Sequence, residues 1–242
     1  MINKFLVVGL SGLVIGVACL SASAVIGGKA LRDTGFDFGG LGQERCGFSD
    51  SGKSGSRNLA WSGGNKASIE LPAAVHYRRG SGDQVVIKGD SEVISHVRVA
   101  DGKVKLDCRM RRNSDRLDVT LPGRDFRTFS LAGAGSLSLD DIDQPKLEIQ
   151  MAGAGDIDAN GKTGELELNL AGAGDARLGG LAADRVELNM AGSHDVEIAP
   201  KDDLEVNIAG SGKVVLRTEP SAIETHIFGS GRIIHPDLDK GI

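Results

Sequence analysis

Six times in its C-terminal half the chain comes back to a turn of small residues, each time after a short run of alternating character. The turns are Ala132-Gly133-Ala134-Gly135-Ser136, Ala152-Gly153-Ala154-Gly155-Asp156 and Ala171-Gly172-Ala173-Gly174-Asp175. They continue as Ala191-Gly192-Ser193-His194-Asp195, Ala209-Gly210-Ser211-Gly212-Lys213 and Phe228-Gly229-Ser230-Gly231-Arg232. Start-to-start steps are 20, 19, 20, 18 and 19 residues. A fixed period near 20 residues marks units that cannot bury their own apolar faces and must stack to do so. The expected fold is therefore all-β: a parallel β-solenoid, or β-helix, with 19–20 residues per repeat. The glycines of these turns are its structural positions, because alternating glycines permit positive φ and close backbone approach.

The runs before the turns are residues 147–151, 166–170, 186–190, 204–208 and 223–227. Every second residue in them is apolar, Thr225 excepted, which predicts strands with one buried and one wet face. Two columns fall on the wet face. Glu148, Glu167, Glu187, Glu205 and Glu224 form one; Gln150, Asn169, Asn189, Asn207 and His226 form the other. Stacked amides predict a hydrogen-bond ladder along a parallel sheet. Stacked carboxylates predict repulsion unless they splay apart or find cations. A cation-binding strip is the rival reading of that column.

Upstream the pattern is β but irregular. Strands are expected at 67–71, 84–88, 93–99, 103–108 and 117–121, separated by turn signals at residues 80–83, 89–90, 101–102 and 122–123. This stretch is expected to cap the solenoid, whose open sheet edges need protection. Residues 25–57 are rich in Gly and Ser and predict a flexible spacer. The expected organisation is thus a signal at 1–24, the spacer, a β domain over 58–236 and a tail at 237–242.

The N-terminus reads as a secretory signal: Lys4, an apolar run over 5–20, then Ala22-Ser23-Ala24 as a small-residue cleavage site. Lipoprotein processing at Cys19 is the alternative, with Gly16 standing where a large aliphatic residue is usual. Losing Lys4 takes the formal net charge from −5 to −6, an acidity that argues against nucleic acid as a partner. Two cysteines would then remain, Cys46 and Cys108. In an oxidising compartment they are a candidate disulfide; two unpaired thiols are the other possibility. Their spacing points to no metal site.

At these turns and lead-in strands the chain resembles the auto-transporter adhesin head domain, or GIN domain, family. The resemblance covers residues 58–236 and includes the strand at 67–71 ending at Pro72, residues 85–90 and Asp101-Gly102-Lys103. It implies an exported all-β solenoid in the periplasm or outer envelope with a surface or adhesive role. It carries no agreed catalytic residues to transfer. His194 departs from it, standing where the other turns have Gly.

The remaining chemistry is sparse. Calcium-binding repeats need an Asp at one fixed place on every turn, whereas here Asp156, Asp175 and Asp195 give way to Lys213 and Arg232. His194 and His226 are expected to be solvated. Paired acids for polysaccharide cleavage exist at Asp140-Asp141 and Asp202-Asp203, but adjacent acids at polar corners are ordinary solvated turns. Within the repeats, aromatic platforms for sugars are limited to Phe126, Phe129 and Phe228. No nucleophile elbow, phosphate loop or zinc signature appears. The expectation is a non-enzymatic envelope module, without cofactor or metal, that binds an unidentified protein or glycan and does not span the membrane once the signal is cleaved. A carbohydrate-processing β-helix enzyme is the alternative.

Overall fold

The computed structural model describes residues 51–108 and 116–235. They belong to one compact unit, Gln43–Ile242. The signal, Cys19, Cys46 and the tail lie outside the described residues.

Among the described residues all strands join one nine-stranded sheet around a single apolar core. In chain order they are β1 (Ser54–Ala60), β2 (Lys66–Glu70), β3 (Ala73–Arg78), β4 (Gln84–Asp90), a short helix α1 (Ser91–Ser95), β5 (Val97–Ala100), β6 (Lys103–Leu106), β7 (Leu117–Thr120), β8 (Thr128–Leu216) and β9 (Ala222–Ile234). The all-β class stands, but the parallel β-solenoid does not. The sheet is of mixed orientation: β1 with β4, β4 with β7, and β5 with β6 run antiparallel, while β2, β3 and β9 pair parallel with β8.

The antiparallel part has a local cause. Asp101 and Gly102 both adopt positive φ, 52° and 76°, and form the two-residue loop between β5 and β6. Such an Asp-Gly loop matches the twist of two hairpin strands and fixes their register, here Ala100 opposite Lys103 and Val97 opposite Leu106. The strand expected at 93–99 begins instead as α1. The Asp90 carboxylate accepts from the backbone N–H groups of Glu92 and Val93, at 2.9 and 3.3 Å, and so caps a helical turn. Two strands were not expected at all. β3 follows Pro72 directly, and β1 begins at Ser54, inside the segment read as spacer.

β8 is extended without interruption for 89 residues. Straight, it would be on the order of 290 Å long. Its small-residue turns bend it. Gly133, Gly153, Gly172, Gly192 and Gly210 all take positive φ, as does Gly229 in β9. Each turn lies close over the one before it. A Cβ on Gly172 would strike the carbonyl oxygen of Gly153, and one on Gly192 that of Gly172. Inward residues such as Leu147, Ile149, Leu166, Leu168, Leu188, Val206 and Ile208 are then at most 1 % exposed. Aromatic rings close the N-terminal side of this core: Phe126 lies 5.0 Å from Trp61 and 5.7 Å from both Tyr77 and Phe129.

His194 is buried, at 2 % exposure, rather than solvated. It shares the inward face of its strand with Val196 and Ile198. One turn earlier, Gly174 and Ala176 stand in the columns of His194 and Val196; Ala176 replaces the larger Leu137 and Ile157 of preceding turns. The imidazole fits where that sequence leaves room. Neither ring nitrogen makes a hydrogen bond of full geometry, though the Gly174 and Ala191 backbones lie near enough to act on the ring. Burial pushes its pKa below the ordinary value, against the backbones of Gly174 and Ala191 and the charge of Asp175, which pull it up.

Two outcomes are expected. Gly172→Val combines a strained φ with a backbone collision and should cost about 3 kcal/mol or more, read by chemical denaturation, whereas Ala173→Val on the exposed side of the same turn should cost far less. For His194, a depressed folded pKa means the unfolded chain binds the proton first. Its contribution is therefore present above the unfolded value near pH 6.5 and is lost as pH falls below it. Melting curves from neutral to about pH 5 should show a fall in stability that His194→Gln flattens; identical profiles would contradict this role.

Candidate functional site

The alternation that buries Leu166, Leu168 and Leu170 turns Glu167 and Asn169 outward, and the same holds along β8 and β9. With turns superposed, the two polar columns become a continuous strip. Asn207 Nδ2 donates to Asn189 Oδ1 at 3.0 Å, and Asn189 Nδ2 donates to Asn169 Oδ1 at 3.0 Å. Each amide also donates along its own strand: Asn169 to Glu167 at 3.1 Å, Asn189 to Glu187 at 2.9 Å, Asn207 to Glu205 at 3.1 Å. The Asn189 and Asn207 amides thus place both N–H groups, and the carboxylate column meets donors instead of bare repulsion.

The ends of the strip vary the theme. Gln150 donates to Glu148 and accepts from Ser130 Oγ at 3.0 Å, while Thr128 Oγ1 donates to Glu148 at 3.0 Å. At the other end His226 Nε2 lies 3.0 Å from Glu224 Oε1. Exposure grows toward that end: Gln150 is buried, Glu167 is half-buried, and Glu187, Glu205 and Glu224 are exposed. Lys146 sits beside the strip, 2.8 Å from Glu165 and 3.4 Å from Glu167. Its hydrogen bond to Glu165 holds the ammonium pKa above the ordinary lysine value.

Acids elsewhere are largely matched by bases. At the turn ends Asp175 pairs with Arg177 at 3.0 Å and Asp195 with Lys213 at 3.0 Å. Arg217 hydrogen-bonds Glu197 at 2.7 Å and holds that carboxyl below its usual range. An open groove of about 620 Å³ is lined by Arg79, Gly80, Asp141, Ile142, Asp143, Gly161 and Lys162. It takes one member of the acid pair Asp140-Asp141. Arg78 bridges both of those carboxylates, at 3.5 and 3.6 Å, and Asn160 donates to Asp140 at 2.7 Å. Asp203 of the second pair is 3.3 Å from Arg185. Of the three aromatic candidates for sugar stacking, Phe126 and Phe129 are fully buried and Phe228 is exposed.

The β5–β6 register also assembles a cluster that spacing along the chain did not show. Ligand atoms of His96, Asp107 and Cys108 lie within 4.8 Å of one another. Cys108 is disulfide-bonded, which removes its thiolate, and Asp107 is already engaged by His96 at 2.8 Å and Arg98 at 2.5 Å. Cys46, the candidate partner of Cys108, lies outside the described residues. Among the described residues no helix is long and apolar enough to cross a membrane.

Comparison with known proteins fits this geometry to a family. A family model described as "Putative auto-transporter adhesin, head GIN domain" matches residues 65–220. No curated protein matches the chain. Among solved structures, a "putative adhesin" from Bacteroides fragilis superposes with a TM-score of 0.62 at 18% identity, covering 78% of this chain and 100% of its own. That likeness establishes a shared fold. A "putative lipid binding protein" from Parabacteroides distasonis has a TM-score of 0.46 at 17% identity, with 78% and 98% covered. A "putative adhesin" from Parabacteroides merdae has 0.45 at 14%, with 76% and 97% covered.

The ladder makes a stability prediction. Asn189→Ala removes one rung and leaves the Asn207 amide and the Asn169 carbonyl without that partner. Because the strip is half-exposed and water can compensate, the cost should be about 1–2 kcal/mol by denaturant unfolding. A double-mutant cycle with Asn207→Ala should show non-additivity; strictly additive losses would mean the rungs are independent.

Proposed function

From the premise that the chain belongs to the auto-transporter adhesin head GIN-domain family, we propose that it is an exported, non-enzymatic binding module of the cell envelope. Its working surface in this reading is the Glu-amide strip. The observation that carries the proposal is the strip's own hydrogen bonding. Amides that already hold one another and their neighbouring carboxylates are preorganised, so a ligand need not order them on binding. The free lone pairs of Glu187 and Glu205 then present a row of acceptors at strand-stack spacing. A ligand carrying hydroxyl, amide or ammonium donors, on an envelope protein or glycan, matches that row. The N-terminal signal read from residues 1–24 supports export to the periplasm or outer envelope.

A carbohydrate-processing enzyme is the weaker reading. Glycoside cleavage relies on two carboxyl groups in separate acid and base roles. The acids at the groove are instead each taken up by ion pairs, Asp141 with Arg78 and Asp143 with Arg79 and Lys162.

The test compares the immobilised chain with its Glu167→Gln, Glu187→Gln, Glu205→Gln variant, which keeps shape but removes charge. Envelope extracts and a glycan array serve as ligand sources, and circular dichroism checks the fold. Retention by the parent and its loss in the variant is expected. Equal retention would move the working surface elsewhere. Glycan cleavage that disappears in Asp140→Asn, Asp141→Asn would replace the proposal with the enzyme.

A further inference from the structure

β9 is bonded to β8 along one side, from Ala222 opposite Asp203 to Ile234 opposite Val215. Among the described residues no strand pairs with its other side. This edge is unlike the rest of the sheet. Ile223 and Ile227 continue the core columns of Leu204 and Ile208, yet each is 38% exposed where those residues are 2% and 1%. Phe228 beside them is 75% exposed. A row of unpaired backbone groups flanked by apolar side chains is a template for another strand.

The edge also carries a symmetry that selects its partner. Count outward from Phe228. Four residues before it is Glu224 and four after is Arg232; five before is Ile223 and five after is Ile233. In an antiparallel pair with Phe228 on the two-fold axis, Glu224 of one copy faces Arg232 of the other, twice. Ile223 faces Ile233, also twice, and Ala222 faces Ile234. The faces agree as well. Glu224 and Arg232 extend the outward columns of Glu205 and Lys213, whereas Ile223 and Ile233 extend the inward columns of Leu204 and Val214. Opposite residues in an antiparallel pair share a face, so charge meets charge and core meets core.

Neighbouring registers lose this. Centring on Ile227 sets Arg232 against Ala222 and Glu224 against Ser230. Centring on Gly229 sets Glu224 against Ile234 and His226 against Arg232. Among the described residues no carboxylate lies within 4.0 Å of the Arg232 guanidinium, so it has a charge to offer, and Glu224 is engaged only by His226.

We propose that β9 is a homodimerisation edge: a second copy of this chain adds its own β9 antiparallel, two-fold at Phe228, and joins the two apolar cores. The contact is isologous and closes at two copies. It uses Glu224, the last carboxylate of the Glu-amide strip, but does not require the strip to bind a ligand.

Sedimentation velocity of the full chain over a concentration series should show a monomer–dimer equilibrium without larger species. Glu224→Arg sets like charges opposite one another at both symmetric sites and should weaken association about tenfold or more, as should Arg232→Glu. The double variant Glu224→Arg, Arg232→Glu restores both pairs and should recover the dimer. Phe228→Cys should give an intermolecular disulfide on oxidation, since side chains on the axis are within disulfide reach. Circular dichroism confirms that each variant is folded. A monomer at every concentration overturns the proposal, and so does an open-ended series of oligomers. Failure of the double variant to recover the dimer overturns the register. A chain that dimerises only after residues 236–242 are deleted would show its own tail to be the occupant, which also overturns it.

Discussion

Where the next turn's Cβ would stand, β8 has a carbonyl oxygen of the turn before: Gly133 beneath Gly153, Gly153 beneath Gly172, Gly172 beneath Gly192. The rest of the structure depends on this approach of backbone to backbone. It lets an 89-residue extended stretch fold over itself while keeping its apolar residues in line. It also sets the offset that brings Asn169, Asn189 and Asn207 within hydrogen-bond distance. A side chain at those turn positions would change the spacing of everything attached to the strands. The turn-end column, running through Asp156, Asp175, Asp195, Lys213 and Arg232, varies freely because it lies outside the contact. Smallness is held constant; charge is not.

The outward strip follows as a consequence. Five acids at one position in successive strands would be costly if they faced only one another. Their neighbours two residues along are amides, or a histidine in the last strand, and these supply donors at every level. The arrangement converts a liability into an ordered polar surface, and explains why it needs few lysines. Lys146 serves the early part of the strip, where Glu165 and Glu167 come close together.

Parts of this were legible in the chain and parts were not. The apolar alternation, the turn glycines and the Asn ladder could be read because each rests on a short local period. The mixed orientation could not be read from the repeating half. It comes from the first half, where Asp101-Gly102 makes a hairpin and not merely a break. Asp90 had the chemistry of a helix cap, but the apolar residues after it also suited a strand. Pro72 looked like a terminus, yet its carbonyl accepts from Leu117 and β3 starts at the next residue. His194 was expected in solvent because histidines at turns usually are. Its burial depends on the small Gly174 and Ala176 one turn away, which no window around His194 contains. The His96–Asp107–Cys108 cluster is likewise a product of register, not of spacing.

The account holds that the Asn side chains form one ordered ladder on a backbone spaced by glycine. The most direct measurement is side-chain amide NMR of Asn169, Asn189 and Asn207, reading hydrogen exchange and relaxation of each Nδ2 group. The account predicts slow exchange and backbone-like rigidity at all three, disturbed together by Asn189→Ala. Fast exchange with independent, solvent-like motion at each position would contradict it.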